Sequence, residues 1–112
     1  MKIYHNPRCS KSRETLDLIA KSGQECEVIE YLKVPVTFAE LKDLLVRLHM
    51  KPEQLVRKGE ALYKQNFKGK NFNDDEWITI LIENPQLLER PIVLKGNKAI
   101  LGRPPGNVLV LL

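Results

Sequence analysis

Cysteine is the scarcest informative residue in this chain: 112 residues carry only Cys9 and Cys26. Two cysteines are too few for a disulfide framework, and they are not spaced as a zinc site. Ser12 stands where the second cysteine of a Cys-x-x-Cys pair would be, so no vicinal redox pair exists. One working thiol in a reducing compartment fits better than a structural bridge. Aromatic residues are also few, at 6%, and the longest basic run is Arg57-Lys58. No stacking platform and no basic stripe result, which argues against nucleic acid as a partner. No apolar run approaches the roughly 20 residues that span a bilayer, and no signal segment precedes the first strand pattern, so a cytoplasmic, membrane-free location is expected. Repeats, low-complexity tracts and linkers are missing as well. What remains is 43% apolar and 29% charged residues with a net charge of +4 and a pI near 9.1. That composition predicts a single globular domain over residues 1–112, monomeric by default, whose charge suits a small anionic substrate.

The periodicity predicts a strand at Lys2-Ile3-Tyr4 and a helix from Ser10 to about Lys21, with Leu16, Ile19 and Ala20 inward and Ser22-Gly23 as the stop. Cys26 to Tyr31 alternates as a second strand, giving a β-α-β unit with parallel strands. Thr37-Phe38-Ala39-Glu40 is a capping box for a helix to about His49. Pro52 starts a short helix through Val56, and a helical piece is expected at Ala61 to Gln65. Asn73-Asp74-Asp75-Glu76 caps a helix that stops before Asn84-Pro85, with a further turn over Gln86 to Leu88. A hairpin joins Pro91–Leu94 to Ala99–Leu101 around Lys95-Gly96-Asn97-Lys98. The tail from Pro104 to Leu112 reads as a terminal helix packing Val108, Leu109 and Leu111, with a strand as the alternative. The order is β-α-β, a helical insertion over about 37–88, then β-β-α. With a cysteine after the first strand and a proline at the start of the third, this resembles the thioredoxin-like plan, an α/β fold with a mixed four-stranded sheet.

Cys9 lies between that first strand and first helix, where unpartnered N–H groups and the helix dipole favour a thiolate. Pro7, Arg8, Ser10, Lys11 and Ser12 make its surroundings exposed and electropositive. These features make Cys9 a nucleophile and an anion its natural guest. Cys26, inside an apolar strand pattern, reads as inert packing. A phosphatase-type loop is excluded, because Thr15 stands where its arginine would be and Arg13 comes too early. The anion-binding arginines should therefore come from elsewhere. Arg57, Arg90 and Arg103 each sit at a junction between an element and a loop. Arg90 is the strongest, since a residue just before a cis proline in this plan is aimed at the thiol. His5 either stabilises the thiolate as imidazolium or satisfies a loop carbonyl. His49 reads as a helix-terminal residue interacting with the dipole.

The blocks Ile3-Tyr4-His5-Asn6-Pro7-Arg8-Cys9, Ser12-Arg13-Glu14-Thr15-Leu16, Tyr31-Leu32-Lys33, Leu55-Val56-Arg57-Lys58, Arg90-Pro91-Ile92-Val93 and Arg103-Pro104 together resemble the glutaredoxin-coupled arsenate reductases. The resemblance runs in order along nearly the whole chain. It implies a thioredoxin-like fold in which Cys9 attacks arsenate to form an arseno-thioester. Glutathione, as co-substrate, then attacks the adduct, and glutaredoxin resolves the mixed disulfide. It further implies Arg57, Arg90 and Arg103 as the oxyanion-binding trio and His5 as the neighbour of the thiol, with no bound cofactor and no metal. Lys11 adds a cation beside the thiol that the family does not require. The Cys-x-x-C switch of the related transcription-regulator branch is missing. A broader glutathione-dependent thiol reductase and a redox-sensing adaptor are the alternatives, the latter needing Cys26 as resolving thiol.

Overall fold

A computed structural model describes residues 1–112 as two compact units, one of Met1–Val34 with Arg90–Leu112 and one of Pro35–Glu89. The first unit holds β1 (Lys2–His5), α1 (Ser10–Lys21) and β2 (Glu27–Glu30). After the second unit the chain returns to it as β3 (Ile92–Lys95), β4 (Lys98–Leu101) and a 3-10 helix over Pro105–Leu111. The sheet order is β2-β1-β3-β4. β1 runs parallel to β2 with Tyr4 opposite Ile29, and antiparallel to β3 with Ile3 opposite Val93. A mixed four-stranded sheet and the thioredoxin-like fold are thus both present. The β3–β4 hairpin pairs Lys95 with Lys98. Its two-residue turn places Gly96 at φ +61, a conformation that β-carbons disfavour and hairpin twist requires.

The core of this unit is Ile3, Ile19, Val93, Val108 and Leu111, with Leu16, Leu18 and Cys26 packed at its margin. Three expectations need correction. On α1 the buried residues are Ser12, Thr15 and Ile19, while Ala20 is exposed. Ala20 lies about 100° round the helix from Ile19 and leaves the inward stripe. The tail is a 3-10 helix and not an α-helix. With about three residues per turn its inward face repeats as Pro105, Val108 and Leu111. Val108 and Leu111 are accordingly buried, whereas Leu109 is 60% exposed. The second strand is also shorter than the apolar pattern, because Tyr31 already opens a turn in which Lys33 N–H bonds Glu30 O.

The second unit comprises α2 (Phe38–Leu48), a 3-10 turn at Pro52–Leu55, α3 (Ala61–Asn66), α4 (Asp74–Glu83) and a 3-10 turn at Pro85–Leu87. Both capping boxes form: Thr37 with Glu40 and Asn73 with Glu76, each satisfying two amides that the helix leaves orphaned. α2 ends at His49, which takes the left-handed conformation at φ 54. Leu41, Leu44 and Leu45 of α2 and Trp77, Ile78 and Leu81 of α4 are buried, and the two helices pack together. An antiparallel bridge joins Val56 to Leu88. No helix is long and apolar enough to cross a membrane.

Candidate active site

Between β1 and α1 the chain turns through Asn6-Pro7-Arg8. The Asn6 side chain accepts from Arg8 N–H at 3.0 Å, and Cys9 N–H bonds Asn6 O at 3.0 Å. This Asx turn delivers Cys9 to the N-cap of α1 in an extended conformation, φ −94 and ψ 123. Serine or aspartate there would take the first-turn amides with oxygen. Cys9 makes no such capping bond; the Lys11 and Ser12 amides act on its sulfur instead.

Burial alone would raise the Cys9 pKa, but a hydrogen bond and positive charge from Arg90, together with the Ser12 and Lys11 amides, outweigh it. The thiol falls from 9.0 to about 7. Arg103 also reaches the sulfur, with Nη1 3.8 Å from Sγ, and the same nitrogen donates to the Arg90 carbonyl at 3.1 Å. Two guanidiniums thus converge on one thiol from the starts of two Arg-Pro steps. Arg90-Pro91 and Arg103-Pro104 are both cis; the first was expected and the second was not.

His5 makes a contact that the sequence did not suggest. It is buried, and its Nδ1 lies 3.0 Å from Ser12 Oγ. Burial lowers its pKa below 6.5, with Glu30 opposing and Arg13 reinforcing the shift. Burial thus disfavours the imidazolium, and the ring braces the loop through Ser12. Ser12, expected as part of an exposed turn, is instead fully buried, and its Oγ also accepts from Asn6 N–H at 3.1 Å. One hydroxyl therefore ties the end of β1 to the turn of helix that faces the sulfur. The only sequence signal for this role is a small polar residue on the inward stripe of α1.

Two other cations near the thiol in sequence are engaged. Lys11 Nζ pairs with Glu14 at 4.0 Å, and Arg13 Nη1 donates to Pro7 O at 3.0 Å. Arg57 belongs to the second unit. There its Nε lies 3.2 Å from Glu60 and its Nη1 3.6 Å from Glu89, while Arg57 N–H bonds Leu87 O and Glu89 N–H bonds Leu55 O across the Val56–Leu88 bridge. Cys26 precedes β2, beside the start of β1, where Glu27 N–H bonds Met1 O. Burial raises its pKa, and the neighbouring N-terminus lowers it only in part. No group of three or more His, Cys, Asp or Glu side chains is placed to hold a metal ion.

The thiol sits at a helix N-cap, drawn toward its anion by amides and by two arginines that each precede a cis proline, and the ArsC family model matches residues 4–111. This chain is an ArsC family member. It is 38% identical to the arsenate reductase of Escherichia coli K12, over 98% of this chain and 79% of that protein. The solved structure of an arsenate reductase from Vibrio cholerae superposes with a TM-score of 0.93 at 42% identity, covering 100% of this chain and 98% of that one. The identity is higher, at 49%, with a second E. coli K12 protein described as the uncharacterized protein YfgD, over 97% of this chain and 93% of that protein.

Proposed function

We propose that this ArsC protein reduces arsenate to arsenite in the cytoplasm, with glutathione and glutaredoxin as electron donors. The observation carrying the proposal is the convergence of Arg90 and Arg103 on a thiol held near pKa 7. A thiolate and an oxyanion repel. Planar guanidiniums that donate paired N–H groups offset that repulsion and orient the central atom. In this reading the Cys9 thiolate forms a sulfur–arsenic bond as an arsenate oxygen leaves as water. Glutathione adds to the arsenic as a second oxygen leaves. Glutaredoxin's thiol then takes the glutathionyl sulfur, so glutathione and glutaredoxin supply the two electrons and end as a mixed disulfide. Water then attacks the arsenic and cleaves its bond to the Cys9 sulfur, its oxygen leaving with arsenite and its proton restoring the Cys9 thiol. Arg57 serves as the third anion contact by the family resemblance, which requires it to exchange its carboxylate partners for substrate. His5 serves by holding Ser12 and thereby the loop. The protein acts as a monomer and needs no bound cofactor or metal.

The test is a coupled assay with arsenate, glutathione, glutaredoxin and NADPH-dependent recycling. Turnover should vanish in Cys9→Ser and fall about a hundredfold in Arg90→Ala, the lower end of the effect of removing one donor from a reacting oxyanion. A folded, reduced protein without arsenate turnover would exclude the proposal.

A second reading stands beside the first, because YfgD, a relative with no stated activity, is more identical to this chain than the arsenate reductase of the same organism is. It makes the protein a glutathione-dependent thiol reductase of broader substrate range. That activity would act on glutathionylated thiols and survive Arg57→Ala and Arg103→Ala, which arsenate reduction would not. A redox-sensing adaptor is disfavoured by the position of Cys26.

A further inference from the structure

Gly102 closes β4 and stands directly before Arg103. Its N–H donates to Pro91 O at 2.8 Å, which ties the end of β4 to the start of β3. A β-carbon on Gly102 would lie 2.7 Å from Pro91 Cγ and 2.7 Å from Thr15 Oγ1, against ordinary contact from about 3.4 Å. Gly102 does not adopt a left-handed conformation, so space and not backbone freedom excludes a side chain here. Neither neighbour can easily give. Pro91 is a closed ring. Thr15 is fully buried, and its hydroxyl is committed to Lys11 O at 2.8 Å, with Gly102 O at 3.5 Å. On the far side, Asn107 Nδ2 holds both Leu101 O and Arg103 O at 3.2 Å, so the segment is fastened from behind as well.

We infer that Gly102 and Thr15 are positioning residues that set where the Arg103 guanidinium meets an anion arriving at Cys9. The close approach of Gly102 to α1 is what brings Arg103 Nη1 within 3.1 Å of Arg90 O and 3.8 Å of Sγ. An added methyl must push the end of β4 away from α1, and the residue that moves with it is Arg103. The inference rests on Arg103 serving as an anion contact, and it adds the two residues through which that contact is built.

The experiment compares alkylation of Cys9 by anionic iodoacetate and by neutral iodoacetamide, read by mass spectrometry of the Cys9 peptide. Dividing the two rates cancels the thiolate fraction and leaves the attraction of the site for an anion. Arg103→Ala should lower this ratio about fivefold, the factor for unit charges near contact in water. Gly102→Ala should lower it by a similar factor, and the Gly102→Ala/Arg103→Ala double variant no further, because both changes remove one interaction. Thr15→Val keeps the volume but loses the hydroxyl, and should give a smaller fall that also disappears in the Arg103→Ala background. Should Gly102→Ala not fold, Thr15→Val decides alone. A folded Gly102→Ala with the native ratio, a native ratio in Thr15→Val when it decides alone, or effects that multiply with Arg103→Ala, overturns the positioning role. An unchanged ratio in Arg103→Ala itself overturns the anion contact and with it this inference, whatever the outcome of the arsenate assay.

Discussion

Cys9 occupies the one helix position where stability and reactivity compete for the same amides. A serine there would cap α1; the sulfur caps poorly and is activated instead. With a folded pKa near 7 against 9.0 for the free thiol, the alkylation rate by iodoacetamide should rise with a midpoint near pH 7, and the midpoint should move upward in Arg90→Ala. The same shift links pH to stability. Between about 7 and 9.0 the unfolded chain holds more protons than the folded one, so stability rises with pH across that window. The contribution is lost as pH falls through 7. Denaturant midpoints in reducing buffer should show this rise in the native protein and lack it in Cys9→Ser. Ser12 predicts a second effect. Ser12→Ala would leave the buried Asn6 N–H and His5 Nδ1 without their shared partner, at a cost of about 1–3 kcal/mol by denaturation. Rescue of stability by a thiol at this position would argue against that hydroxyl's role.

Among the elements, those with local punctuation were legible. The capping boxes Thr37–Glu40 and Asn73–Glu76 announced α2 and α4 because their partners lie within one helical turn. The Gly96-Asn97 turn announced the hairpin for the same reason. The C-terminal element was misjudged, since an apolar, Pro-led tail fits α, 3-10 and strand patterns alike. Its packing against α1 selects a repeat of three residues. Leu111→Ala should therefore cost about 2–4 kcal/mol, the range for emptying a buried leucine site. Leu109→Ala should stay within about 0.5 kcal/mol, as expected of an exposed position. Thermal unfolding of the two variants side by side measures the difference, and equal losses would contradict the 3-10 register.

For the whole molecule the sheet separates the two thiols. Cys26 adjoins the start of β1, and Cys9 follows its end. Three residue steps of β1 alone span about 10 Å, beyond the roughly 7 Å between α-carbons that a disulfide tolerates. Mild peroxide should therefore yield no Cys9–Cys26 disulfide in peptide maps. Oxidation should fall on Cys9, the thiol with the lowered pKa, and leave Cys26, whose pKa is raised, largely intact.

From its residues alone the chain determined the order of its elements, the place of Cys9 at a helix start, and Arg90 before the proline that opens the third strand, because each depends on neighbours close in sequence. Arg90 stood out there, while Arg57 and Arg103 were not told apart. Folding separated their circumstances: Arg90 and Arg103 act on the sulfur, while Arg57 is held by Glu60 and Glu89. Tertiary structure likewise turned His5 toward Ser12 and gave Gly102 its importance. These are contacts between residues distant along the chain, and no local pattern encodes which partner a side chain finds once the core has closed.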